Sequence, residues 1–188
     1  MTGVEAMKSA KHIFLIGFSG SGKSTLGRIL ASRLGLMFVD LDSVIEKNLD
    51  RTIAEIFDGS GEATFRCYEK KHLEAVLRSR QRLVIALGGG AFESAAIRTM
   101  AYRHGTTVYL SCSQRELNRR LRPVGDRPLL RVNCRRGESR TQTRERRIRS
   151  LLKKRLANYR SADLIVSTTG KSPKKSAGEL IQLLRKIA

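Results

Sequence analysis

Gly17-Phe18-Ser19-Gly20-Ser21-Gly22-Lys23-Ser24 fits the pattern G-x-x-x-x-G-K-[ST] at every fixed position, and its flanks supply the context that the pattern needs. His12-Ile13-Phe14-Leu15-Ile16 precedes it as a short apolar run of strand character. Behind it, Leu26, Ile29, Leu30 and Leu34 recur at helical spacing. A strand, a glycine-rich loop and a helix start, in that order, make a P-loop. Glycines let the backbone close around a polyphosphate with successive N–H groups pointing inward. The helix start adds its partial positive charge. Gly20, Ser21, Gly22 and Thr25 then line the phosphates, Lys23 reaches the β- and γ-phosphates, and Ser24 offers its hydroxyl to Mg²⁺. The stretch implies a nucleoside triphosphate bound with Mg²⁺.

Outward from the loop, further strand-like runs at 37–39, 83–86, 106–110 and 164–166 alternate with helical stretches at about 23–34, 61–79, 93–103, 113–121, 143–159 and 173–187. That alternation predicts an α/β fold: a parallel five-stranded sheet with helices on both faces, in three layers. The segment at about 122–142 breaks the rhythm. It holds Pro123, Gly125, Pro128 and Gly137 with many arginines, and reads as a mobile lid on the nucleotide side. Residues 1–10 read as a flexible leader, and 11–188 as a single domain.

Composition narrows the classes. No apolar run approaches the roughly 18 residues of a membrane span. Cys67, Cys112 and Cys134 are odd in number and scattered, as are His12, His72 and His104, so neither a disulfide frame nor a zinc site is expected. A reducing cytoplasm is the compartment this implies. The formal net charge is +20, and residues 115–160 hold 17 Lys or Arg against four acids. Such a segment is either a nucleic-acid footprint or the cationic lid and substrate wall of an enzyme that handles anions. Base-stacking aromatics are missing apart from Tyr159, which favours the lid and makes a nucleic-acid partner secondary. Part of the basic excess is left without a role.

Two more signals lie at strand ends, where ligands sit in open α/β sheets. Asp40 and Asp42 stand at i and i+2 at the expected end of the second strand, which would place both carboxylates on one side. One acid then serves Mg²⁺ and the other an acceptor hydroxyl, although Asp42 also suits the N-cap of a helix starting at Ser43. Gly88-Gly89-Gly90 follows the strand at 83–86 and points to a close approach of ligand or side chain to the backbone.

Taken together, G-F-S-G-S-G-K-S-T (17–25), F-V-D-L-D (38–42), I-A-E-I-F (53–57), F-R-x-x-E (65–69), L-G-G-G-A (87–91), R-P-L-L (127–130) and K-R-L-A-N-Y-R (154–160) resemble the shikimate kinase family over nearly the whole chain. The resemblance implies transfer of the γ-phosphoryl of MgATP to the 3-hydroxyl of shikimate, on the route to aromatic amino acids, by a monomer. It implies that Asp42 engages the acceptor hydroxyl, that Asp40 holds Mg²⁺ through water, and that Arg66 and Arg155 grip the substrate carboxylate. The glycines Gly88, Gly89 and Gly90 would line the substrate, with the Gly89 N–H on a ring hydroxyl, while Phe57, Phe65 and Glu69 shape the pocket. Arg127 corresponds to the lid arginine of the transferring phosphates, and Arg120 and Lys171 to the residues flanking adenine. The stretch 131–143 departs from the family in being longer and more basic. A gluconate kinase-like enzyme and a nucleic-acid-binding P-loop protein are the rival readings.

Overall fold

The computed structural model describes residues 12–121 and 139–187. Within them five strands alternate with helices: β1 (His12–Ile16), α1 (Lys23–Leu34), β2 (Met37–Asp40), α2 (Leu41–Leu49), α3 (Ile53–Val76), β3 (Leu83–Ala86), α4 (Ala95–His104), β4 (Gly105–Ser111), α5 (Gln114–Arg120), α6 (Arg140–Arg160), β5 (Leu164–Ser167) and α7 (Pro173–Ile187). A single 3₁₀ turn, Ala91–Glu93, leads into α4.

All strands run parallel in the order β2-β3-β1-β4-β5. The central strand sorts its side chains by pleat. Phe14 and Ile16 join the core under α3, α4 and α6, with Ile56, Phe65, Ile97, Ile148 and Tyr159. Ile13 and Leu15 face the opposite way, onto Leu26 and Leu30 of α1 and Leu180 and Leu184 of α7. Two apolar faces explain why β1 is buried along its whole length and why the α/β three-layer expectation holds. Because β3 and β4 lie on opposite sides of β1, the chain changes direction at the carboxyl end of β1, and the crevice opens there.

Three boundaries differ from the sequence reading. β2 stops at Asp40, and Leu41 and Asp42 already belong to α2. The strand alternation expected to align the two acids therefore does not act. Nor is Asp42 the N-cap: Asp40 occupies that position, and Asp42 sits in the first turn, where an acid is favoured by the helix dipole. α3 starts eight residues before the helix expected at 61, because Thr52 and Glu55 form a reciprocal capping box. Gly61 (φ 78°, ψ 169°) interrupts it, a conformation open mainly to glycine. Lastly, Ser139 and Gln142 cap α6, so the helix expected from 143 starts at Arg140, inside the stretch read as lid. The leader and the remainder of the expected lid, Arg127 included, lie outside the described residues.

Candidate active site

The crevice above the carboxyl ends of β1, β2 and β3 is a cleft of about 980 Å³, at the large end of small-molecule sites. Its lining includes every site residue expected from the sequence that falls among the described ones: Gly20, Ser21, Gly22, Lys23, Ser24, Thr25, Asp40, Asp42, Arg66, Gly88, Gly89, Gly90, Arg120, Arg155 and Lys171.

One end is the loop between β1 and α1. Gly20 and Gly22 take φ of 80° and 99°, which only glycine adopts without strain and which turns the chain into the helix. Lys23 Nζ donates to the carbonyls of Gly17 (2.9 Å) and Phe18 (3.2 Å), and this holds the ammonium over the loop. Ser24 Oγ donates to Asp40 Oδ2 at 2.6 Å. A hydroxyl and a carboxylate side by side at the loop mouth are hard oxygen donors that suit Mg²⁺, which keeps most of its waters and uses few protein ligands. No group of three or more potential His, Cys, Asp or Glu ligands occurs among the described residues.

The loop is braced from the far side of the sheet. Arg120 Nη1 reaches the carbonyls of Gly20 (3.3 Å) and Ser21 (3.5 Å), and Nη2 donates to Thr168 O (2.9 Å). Thr168 Oγ1 donates to Ser21 O at 3.0 Å. Glu116 fixes Arg119 and Arg120 of α5, with contacts of 2.7 Å and 2.9 Å. Those hydrogen bonds, from Arg119 first, hold its carboxyl well below the ordinary carboxylate range. Lys171 Nζ pairs with Glu179 at 2.6 Å on the same wall. Sequence reasoning missed Glu116 and Thr168. For Thr168 the one available signal was its place just beyond β5, at the carboxyl edge of the sheet.

The other end is made of charged side chains, two of them buried. Glu69 has no exposed surface, and its carboxylate pairs with Arg66 one turn earlier on α3. Arg66 also holds Glu62 at 2.8 Å. Burial pushes the Glu69 carboxyl up to about 7, against the pull of Arg66 and with a further push from Asp42. Burial works against the Arg66 charge, yet Glu69 and then Glu62 raise its pKa. Gly88 explains how the two acids come together: a Cβ there would lie 2.5 Å from Glu69 Oε1 and 2.7 Å from Asp42 Oδ1, so only hydrogen fits. Two residues on, a Cβ on Gly90 would run into the guanidinium of Arg66 and lie 3.1 Å from that of Arg155. The two arginines thus converge from α3 and α6 on one point.

Arg155 is 5% exposed, donates from Nη1 to Gly89 O at 2.9 Å and lies over the Phe18 ring at 5.6 Å. Tyr159, one turn later on α6, also donates to Gly89 O. Phe57 and Phe65 close the floor with ring centroids 4.8 Å apart. A planar anion held between two guanidiniums, with a carboxylate pair beside it and a phosphate loop opposite, is the arrangement the geometry offers.

Comparison with known proteins identifies the family. The family model described as shikimate kinase matches residues 19–185. A shikimate kinase from Chlorobaculum tepidum is 43% identical over 184 residues, which cover 96% of this chain and 92% of that protein. The structure of shikimate kinase from Acinetobacter baumannii in complex with shikimate superposes with a TM-score of 0.86 at 34% identity, covering 96% of each chain. A gluconokinase from Sinorhizobium meliloti 1021 superposes with a TM-score of 0.60 at 19% identity, over 95% of this chain and 96% of its own, and shares the fold.

Proposed function

We infer the activity of this chain from the shikimate kinase family, to which it belongs: it is an ATP-dependent kinase that phosphorylates shikimate. The acceptor position is the 3-hydroxyl, the products are shikimate 3-phosphate and ADP, and the step serves aromatic amino-acid biosynthesis. The observation that carries the acceptor assignment is the convergence of Arg66 and Arg155 at Gly90, close to Asp42 at Gly88. Two planar forks suit a carboxylate and not a neutral sugar; between shikimate and gluconate, which both carry one, membership of the family favours shikimate.

The residues divide the work. Phosphoryl transfer depends chiefly on positioning and charge neutralisation. The loop N–H groups and Lys23 hold the phosphates, and Arg120 and Lys171 border the base. Ser24 and Asp40 would hold Mg²⁺, which supplies charge neutralisation at the β- and γ-phosphates. Arg66 and Arg155 orient the acceptor by its carboxylate, the Gly89 backbone and the glycines around it line the ring, and Asp42 receives the hydroxyl proton. Arg127, by its place in R-P-L-L, is assigned to the transferring phosphates as the third catalytic residue beside Lys23 and Asp42. One cleft in one chain carries both ligand halves, which supports a monomer. No helix among the described residues is long and apolar enough to cross a membrane, and with its scattered cysteines we place the enzyme in the cytoplasm.

ADP release in a coupled assay is expected with shikimate and not with gluconate. Turnover with gluconate alone would overturn the acceptor assignment and leave the kinase fold standing.

A further inference from the structure

The helix that carries Arg155 into the cleft turns a differently built face to solvent. On α6, Arg146, Arg149, Lys153 and Arg160 are exposed, and at 3.6 residues per turn they fall within a sector of about 60°. Arg155 stands about 180° from Arg146 on the same wheel, so the clamp side and the outward side are separate. The outward strip is about 21 Å long at 1.5 Å per residue. Arg147 and Lys154, also exposed, run along its border, and Gln142, Ser150 and Ala157 fill the gaps. Among the described exposed residues of α6 there is no acid and no aromatic. Nothing in phosphoryl transfer calls for this row of like charges, whose mutual repulsion costs helix stability.

We propose that the outward strip of α6 is a docking surface for the phosphate backbone of double-helical nucleic acid, bound without regard to sequence. Charge complementarity names a polyanion, and the rest of the strip selects which one. A single strand is held by aromatic platforms on which bases stack, and the strip has none. A protein interface is built around an apolar, aromatic core and is depleted of Lys, whereas the one apolar side chain exposed here is Ala157. A membrane-surface helix buries bulky apolar side chains beside its cations, and α6 shows none outward. A duplex carries one charge per about 1.7 Å of axis, a straight anionic rod against which a straight cationic strip fits. Three of the four strip residues are arginines, whose planar fork matches phosphate oxygens.

The test is fluorescence anisotropy of a labelled duplex of arbitrary sequence, titrated with the full-length chain over about 50 to 200 mM salt. Two charge-matched variants are compared: Arg146→Glu/Arg149→Glu/Lys153→Glu/Arg160→Glu on the strip, and Lys174→Glu/Lys175→Glu/Arg185→Glu/Lys186→Glu on the exposed face of α7. The wild type should show a steep linear fall of log K with log salt. The strip variant should lose about four from that slope, one per phosphate contact, and at least about tenfold in affinity at the lowest salt. The α7 variant should bind nearly as the wild type does, and shikimate turnover should survive in both. Equal losses in the two variants would mean bulk charge alone and would overturn the proposal, as would an unaffected strip variant. Tighter binding of vesicles rich in anionic lipid, of poly-glutamate or of a single strand would overturn it too. If the strip variant loses turnover through misfolding, Arg149→Ala/Lys153→Ala decides in its place: the slope should fall by about two, and an unchanged slope would overturn the proposal.

Discussion

The two halves of the cleft are built on opposite principles. The nucleotide half is mostly backbone, drawn from one contiguous stretch between β1 and α1, with Lys23 as its central cation. The acceptor half is mostly side chain, drawn from α2, α3, the loop after β3 and α6, with Glu69 and Arg155 buried and Asp42 and Arg66 half-buried. A backbone site presents the same N–H groups whatever side chains surround it, so few single substitutions dismantle it. A site of buried charges ties each group to its neighbours, so one change disturbs both binding and titration.

Lys23→Met is the sharpest test of the first half. It keeps side-chain bulk and removes the point charge, so turnover should fall by about a thousandfold while thermal melting stays close to that of the wild type. A folded variant with ordinary turnover would mean that the loop is not the phosphate site. Asp42→Asn should come next, at about a hundredfold or more in kcat, with an unchanged Mg²⁺ requirement. Asp40→Asn should shift the Mg²⁺ titration instead, because Asp40 is the acid that touches Ser24. Identical metal titrations for the two would erase the boundary between the halves.

Arg66→Ala and Arg155→Ala should each raise the KM for shikimate by roughly ten- to a hundredfold, from charge-assisted bonds worth about 1.5–3 kcal/mol. The KM for ATP should stay nearly constant. A parallel rise in both constants would show that the halves are not independent.

The smallest effect is one of pH. Glu69 sits at about 7 in the fold against 4.5 ordinarily, so in that window the folded chain keeps a proton that the unfolded chain has released. Its contribution to stability therefore falls as pH rises from 4.5 through 7. Glu69→Gln does not titrate, so the melting temperature of the wild type minus that of the variant should decline by roughly a few degrees across the window. A difference that stays flat with pH would remove the buried-charge account of this half.

Legibility followed the same division. The loop was readable because its function is encoded within eight consecutive residues, and the fold because apolar runs alternate with helical patterns. Asp42 does line the cleft, but it does so from the first turn of α2 and not through strand alternation. The early start of α3 was present in the sequence as Thr52-x-x-Glu55 and went unread. Arg120 was assigned to the base alone, although its guanidinium also holds the carbonyls of Gly20 and Ser21, a contact across 100 residues.

By itself, then, the sequence determined the parallel three-layer sheet, the phosphate loop and the inventory of charged groups, because periodicity and loop chemistry are properties of neighbours along the chain. The family resemblance paired Arg66 with Arg155, but only the tertiary structure shows how they meet. Arg66 and Arg155 lie on different helices and converge because Gly90 leaves room for both, and Glu69 gains its raised pKa from burial beside Asp42. Proximity between distant segments and exclusion of water are set by packing, and no local pattern records them.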